Sequence, residues 1–334
     1  MSKIFHEKNL LLILSFFFII FVFINYIHNS SIKYKLIENN TYSKFNNLEF
    51  KNNLNQTLTS NESYDSIING DCEITGDMHN RHKVRWVKSY LLKNIFQISN
   101  NLNTNLPYYI NILLHSFLIF ATLIFLDKTF NLKKKYILFF LLYITFIFQG
   151  GLGEYSYSIF EMFFFSVALF ASKRKNLFLF CLITSLAVLN RESGFILLII
   201  WLIFNDNYKQ FSLSLILTLL VFLSLNLNTI NCMINPKFFI PLEYQKGQIN
   251  FTDLKSTGFF SLIKLLMINF IIPFGIIFYN FLKDKIKNNY FILVTFIYFF
   301  TFLIATPIHH AAVRLIILPL IISSFYLGKK DKTI

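Results

Sequence analysis

Charge is scarce in this chain. Asp, Glu, Lys and Arg make up 14% of its 334 residues, against about 25% in an ordinary soluble domain. Hydrophobic residues make up 55%, a surplus that calls for lipid rather than for a larger soluble core. Cysteine is scarce too. Cys72, Cys181 and Cys232 show no CxxC or Cys/His spacing, which excludes a zinc module. A Cys72–Cys232 disulfide and two unrelated thiols both stay open. The first apolar run, Asn9–Ile27, is followed by His28-Asn29-Ser30-Ser31 and lacks a small-x-small cleavage site. It reads as an uncleaved anchor rather than a signal peptide. Repeated halves, the mark of many transporters, are not visible.

What remains is strongly basic, with a formal charge of +14. The basic residues stand at the ends of apolar runs instead of along one stripe or arm, which argues for membrane topology and against a nucleic-acid partner. After the first run come Tyr109–Leu126, Tyr136–Gln149, Tyr157–Ala171, Asn176–Leu189, Gly194–Phe204, Phe211–Leu227, Phe259–Leu282, Tyr290–Thr306 and Val313–Leu327. The sequence therefore predicts one all-α domain over residues 1–334: a polytopic membrane helix bundle of about ten transmembrane helices. With the N-terminus inside, Lys128, Lys133 to Lys135, Lys173 to Lys175, Lys209, Lys283 to Lys287 and Lys329 to Lys332 fall in inner segments. Both termini are then cytoplasmic, in a bacterial inner membrane.

Residues 176–204 decide the parity of everything after them. One long helix would bury Arg191 at the bilayer centre, at a cost of at least ~2.5 kcal/mol, and would turn every later lysine loop outward. Two short helices meeting at an outer Asn190-Arg191-Glu192-Ser193 turn are expected instead.

Two outer loops are long, residues 29–108 and about 228–258. Within the first, residues 82–98 carry Val84, Val87, Leu91, Ile95 and Ile98 at spacings of three and four. That pattern predicts an amphipathic surface helix. It would either cap the bundle or carry part of a site that faces lipid.

Ionisable residues gather on the predicted outer side. Asp71, Asp77, Arg81 and Arg85 precede or enter the surface helix. Glu154 lies in a Gly-rich loop and Glu161 one to two turns into the next span. Arg191 and Glu192 form the turn, and His309, His310 and Arg314 lie near the last span. Ionisable groups at such depth are default site candidates. Plainer roles stand beside each: a solvated Glu154, a Glu161 hydrogen-bonded in the bundle, an Arg191–Glu192 ion pair ordering the turn, a snorkelling Arg314 and an ordinary polar His309-His310 loop. An acid able to accept a hydroxyl proton, arginines suited to phosphate and a position at the bilayer edge together suggest group transfer from a polyprenyl-phosphate donor.

Three stretches carry a resemblance. They are Gly76-Asp77-Met78-His79-Asn80-Arg81-His82-Lys83-Val84-Arg85, the segment from Glu154 to Glu161, and Leu186-Ala187-Val188-Leu189-Asn190-Arg191-Glu192-Ser193. Over about Asp71–Trp201 the chain resembles the multi-spanning GT-C glycosyltransferases and their bacterial relatives. The resemblance implies a membrane glycosyltransferase that moves a sugar from a polyprenyl-phosphate-linked donor to a glycan, lipid or protein acceptor. It implies Asp77 as catalytic base, with Asp71 next. Arg81, Arg85, Glu154, Glu161, Arg191, Glu192, His309, His310 and Arg314 would be substrate-binding. No Asp-x-Asp pair is present, and Asp71-Cys72-Glu73 is a loose substitute, so a divalent metal cofactor stays open. A polysaccharide polymerase or ligase, and a polytopic transporter or flippase, are the competing readings.

Overall fold

The computed structural model describes residues 10–25, 106–148 and 156–234, with a few isolated positions between 87 and 102 and beyond 272. The elements are α1 (Leu10–Asn25), α2 (Leu106–Phe130), α3 (Lys134–Phe148), α4 (Ser156–Lys173), α5 (Leu177–Asn190), a 3-10 turn (Glu192–Phe195), α6 (Ile196–Asn205) and α7 (Tyr208–Ile234). No strand occurs among the described residues. Among the described residues two helices are long and apolar enough to cross a membrane, over Tyr109–Phe130 and Tyr208–Leu227. At 1.5 Å per residue the 25 residues of α2 extend about 37 Å, against about 30 Å of hydrocarbon.

Short turns make α2–α3, α4–α5 and α6–α7 sequential neighbours. Each turn places one residue in the left-handed region: Asn131 (φ 49°), Lys175 (φ 54°) and Asp206 (φ 46°). After α4 the Lys175 amide bonds the Ser172 carbonyl at 3.0 Å and the Asn176 amide bonds the Ala171 carbonyl at 2.9 Å. That is a Schellman closure. Asn176 Oδ1 then accepts from the Leu179 amide at 3.0 Å, and Asn207 Oδ1 from the Gln210 amide at 3.1 Å. One Asn thus caps the next helix immediately after the last has ended.

These three turns lie at one end of the bundle. Lys173 Nζ donates to the Thr129 carbonyl at 2.6 Å, satisfying an orphan carbonyl at the end of α2. Asn205 Nδ2 donates to the Ser172 carbonyl at 3.1 Å. Lys128, Lys133, Lys134, Lys135, Lys173, Arg174, Lys175 and Lys209 therefore share an end. The opposite end holds the starts of α2 and α4 and the break between α5 and α6.

α4 is the centre. It packs against α2, α5 and α6, and it is apolar on nearly every side, as a helix enclosed by others must be. Ile159, Met162, Phe165 and Ala168 are fully buried. α1 leans on α2, with Phe16 and Phe120 rings 5.4 Å apart. The polarity of the outer helices is reversed from that of a soluble protein. α7 turns Ser214, Thr218 and Asn226 inward and exposes Leu213, Ile216, Leu220 and Leu227. α1 buries Ser15, Ile19 and Phe23 and exposes Leu10, Leu14, Phe17 and Phe21. Apolar outer surfaces of this extent are interaction surfaces, and here they belong to the long helix α7 and the shorter apolar helix α1.

Two boundaries differ from the sequence expectation. α7 continues to Ile234, into residues assigned to the second outer loop. Residues 192–195 form a 3-10 turn ahead of α6. Of the predicted surface helix, only positions 87, 94, 95 and 98 are described. Val87 is buried in the apolar cluster and Ile98 is exposed.

Candidate functional site

The break between α5 and α6 is built from residue chemistry. Arg191 leaves the helix with extended backbone (φ −168°, ψ 145°) while its amide still bonds the Ala187 carbonyl at 2.8 Å. Gly194 donates from its amide to the Arg191 carbonyl at 2.9 Å, tightening the turn. A Cβ on Gly194 would lie 2.5 Å from the Val188 nitrogen and 2.6 Å from the Ala187 carbonyl carbon. Only glycine lets the turn fold down onto the last turn of α5.

Beyond the turn the chain reverses. Phe180 in α5 and Trp201 in α6 have ring centroids 4.7 Å apart, whereas one straight helix would separate those positions by about 31 Å. The two-helix reading of residues 176–204 holds, and Arg191 stands at the chain reversal, toward the end of the bundle away from the lysines.

At that end Arg191 reaches α4. Its NH1 lies 2.9 Å from Glu161 Oε2, with both side chains almost wholly buried, 3% and 1% exposed. Ser193 Oγ donates to the other carboxylate oxygen, Glu161 Oε1. Arg191 and Ser193, two apart in sequence, thus converge on one carboxylate, while Glu192 between them is exposed. Arg191 thus forms a bond across 30 positions of sequence. Ser193 and Gly194 were not singled out from sequence. Only their place within the Asn-Arg-Glu-Ser-Gly run hints at a role.

Next to Glu161, Phe160 meets the edge of His115 from α2, with ring centroids 6.2 Å apart. His115 is fully buried, and its Nδ1 lies 2.7 Å from the Asn111 carbonyl. A carbonyl only accepts, so Nδ1 carries the proton and Nε2 of the neutral ring is a lone pair. Nε2 has no hydrogen-bond partner among the described residues, nor has the buried Ser158 hydroxyl.

Chemically, the centre is a buried ion pair whose carboxylate is bonded on both oxygens. It holds α4, α5 and α6 together at the end away from the lysines. Paired burial of this kind avoids the large cost of an isolated charge in low dielectric. Of the sequence candidates, the structure brings Glu161 and Arg191 together and leaves Glu192 at the surface. Asp71, Asp77, Arg81, Arg85, Glu154, His309, His310 and Arg314 lie outside the described residues, as do the side chains of Cys72 and Cys232. Cys181 is a free thiol, 3.3 Å from Ser214 Oγ. Among the described residues no group of three or more His, Cys, Asp or Glu side chains could hold a metal ion. Comparison of the chain with protein-family models, with curated proteins and with solved structures gives no match.

Proposed function

We propose that the chain crosses the bilayer about ten times with its lysine-rich turns and both termini in the cytoplasm. We further propose that it is a membrane glycosyltransferase of the GT-C kind, acting at the opposite face on a polyprenyl-phosphate-linked sugar. Segregation of chemistry along the bundle carries this reading. Eight basic side chains share one end, and the Glu161–Arg191–Ser193 centre stands at the other. The starts of α2 and α4 lie at that second end too. The segment 29–108 leads into α2, and the Glu154 loop leads into α4, so sequence order delivers Asp71, Asp77, Arg81, Arg85 and Glu154 toward the same face.

In the reaction, Asp77 takes the proton of an acceptor hydroxyl as its oxygen attacks the anomeric carbon of the donor sugar. The bond from that carbon to the phosphate oxygen breaks, and polyprenyl phosphate leaves with the electron pair. Arg81, Arg85 and Arg314 neutralise the departing phosphate through bidentate contacts. Glu161 and Arg191 are already engaged with each other, so their contribution is to fix the floor of the site.

The test is the envelope glycan of cells lacking the native gene and complemented with wild type, Asp77→Ala or Asp71→Ala, with insertion checked for each protein. Loss of the glycan in the Asp77 variant despite normal insertion is expected. Normal glycan in both variants overturns the assignment.

A further inference from the structure

The basic end of the bundle does more than orient the chain. Seven basic residues sit on two adjoining turns: Lys128, Lys133, Lys134 and Lys135 around α2–α3, and Lys173, Arg174 and Lys175 after α4. The Lys173–Thr129 bond joins the two turns, and Lys173 Nζ also lies 5.9 Å from the Phe130 ring centroid. All but Lys173 are exposed. The only acid in these turns is Asp127, whose Oδ1 accepts from the Leu132 amide at 3.1 Å. The third turn adds Lys209 and Asp206, which cancel.

Three of the lysines open α3, where the helix dipole is already positive and no acid occupies the first turn. In water that arrangement is unfavourable, and an anionic group beside these exposed cations relieves it. Apolar stripes run down the bundle from both sets of cations. Below Arg174 and Lys175, α5 exposes Phe178 (81%), Leu182 and Leu186 at four-residue spacing. Below Lys134 and Lys135, α3 exposes Leu138 and Leu142. Cations above an apolar stripe match an amphiphile with an anionic head, and match neither free phosphate nor a nucleic acid.

We propose that these two turns form a binding surface for anionic phospholipid. The phosphodiester sits among Lys133, Lys135, Arg174 and Lys175, and the acyl chains lie along Phe178–Leu182–Leu186 and Leu138–Leu142. This rests on the membrane reading above but not on the glycosyltransferase one. Juxtamembrane basic clusters attract anionic headgroups by mass action on local charge. Here the fold adds a fixed apolar bed beneath them.

The test uses the full chain reconstituted in nanodiscs of phosphatidylcholine with a minor share of phosphatidylglycerol, with bound lipid counted by mass spectrometry. Wild type is expected to retain phosphatidylglycerol above its bulk share. A variant carrying Lys133→Gln, Lys135→Gln, Arg174→Gln and Lys175→Gln should lose that enrichment by about fivefold or more, the effect of one basic side chain at an anionic surface. A control with Lys329→Gln, Lys330→Gln and Lys332→Gln should keep it. Bulk composition around wild type overturns the surface outright, even if the variant fails to fold. Equal loss in variant and control also overturns it, since the whole chain's charge would then be responsible. Failure of wild type to enter nanodiscs at all would sink the membrane reading instead.

Discussion

Replacing Glu161 with leucine takes from the buried Arg191, 2% exposed, the carboxylate that lies 2.9 Å from its guanidinium. Removing one partner of a buried pair costs about 3–5 kcal/mol in soluble proteins. In a bilayer the unfolded reference is itself inserted, and neutral polar contacts there average only about 0.6 kcal/mol. A charge that loses its buried counter-charge is a different case, since the cost of desolvating it is no longer offset. We therefore expect Glu161→Leu to destabilise the protein by about 3 kcal/mol, more than a hundredfold in the folding equilibrium. Arg191→Leu, which strands the carboxylate, should cost a similar amount. The double variant removes both charges and should recover most of the loss, because replacing a whole buried pair with apolar residues is often neutral. The assay is equilibrium unfolding in mixed micelles of mild detergent and SDS, run as a double-mutant cycle. Single variants within about 1 kcal/mol of wild type, or additive effects in the cycle, would refute the claim that this pair holds the turn. A functional arm separates structure from catalysis. A double variant that folds and restores the glycan shows that the pair serves only as a brace.

Gly194→Ala should be disruptive although it adds one methyl group, because the atoms it meets are backbone and cannot turn aside. A loss of about 1–3 kcal/mol, the usual range for overpacking, is expected in the same titration, and a silent substitution would contradict the close approach of the turn to α5. Ser214→Cys, in a chain carrying Cys72→Ala and Cys232→Ala, should form a disulfide with Cys181 on mild oxidation, since the atoms concerned are 3.3 Å apart. Protection of both thiols from a maleimide reports it, and two reactive thiols after oxidation would deny the packing of α5 on α7.

The helices were legible because a long apolar run can satisfy its backbone polar groups within itself only as a helix. Tyr136–Gln149 was expected and Lys134–Phe148 forms; Tyr157–Ala171 was expected and Ser156–Lys173 forms. Hydropathy marks where apolar residues end rather than where hydrogen bonding ends. α7 accordingly runs past Leu227 through Asn228, Thr229 and Asn231 before it stops. The break at Arg191 was legible from a single charge, whose cost at mid-membrane forbids a continuous span. The partner of that charge was not. Adjacent Arg and Glu suggest a local pair, but the turn takes Glu192 to the surface and Arg191 and Ser193 to α4. Nothing in the periodicity of α4 says that Glu161 faces the α5–α6 turn, because α4 is buried all round and has no polar face to read.

That pairing changes which residues can meet a phosphate. A guanidinium bonded to a buried carboxylate is neutralised, and an incoming phosphate would have to displace Glu161 and leave it charged in a low-dielectric environment, which is costly. A lipid-phosphate donor of the kind proposed would therefore have to draw its positive charge from arginines outside the brace. In this sequence Arg81 and Arg85 stand ahead of α2, and Arg314 stands near the last apolar run. The Asn-Arg-Glu-Ser segment then acts by holding α4, α5 and α6 in register. Its substitution would change the stability of the site before it changed the affinity for phosphate.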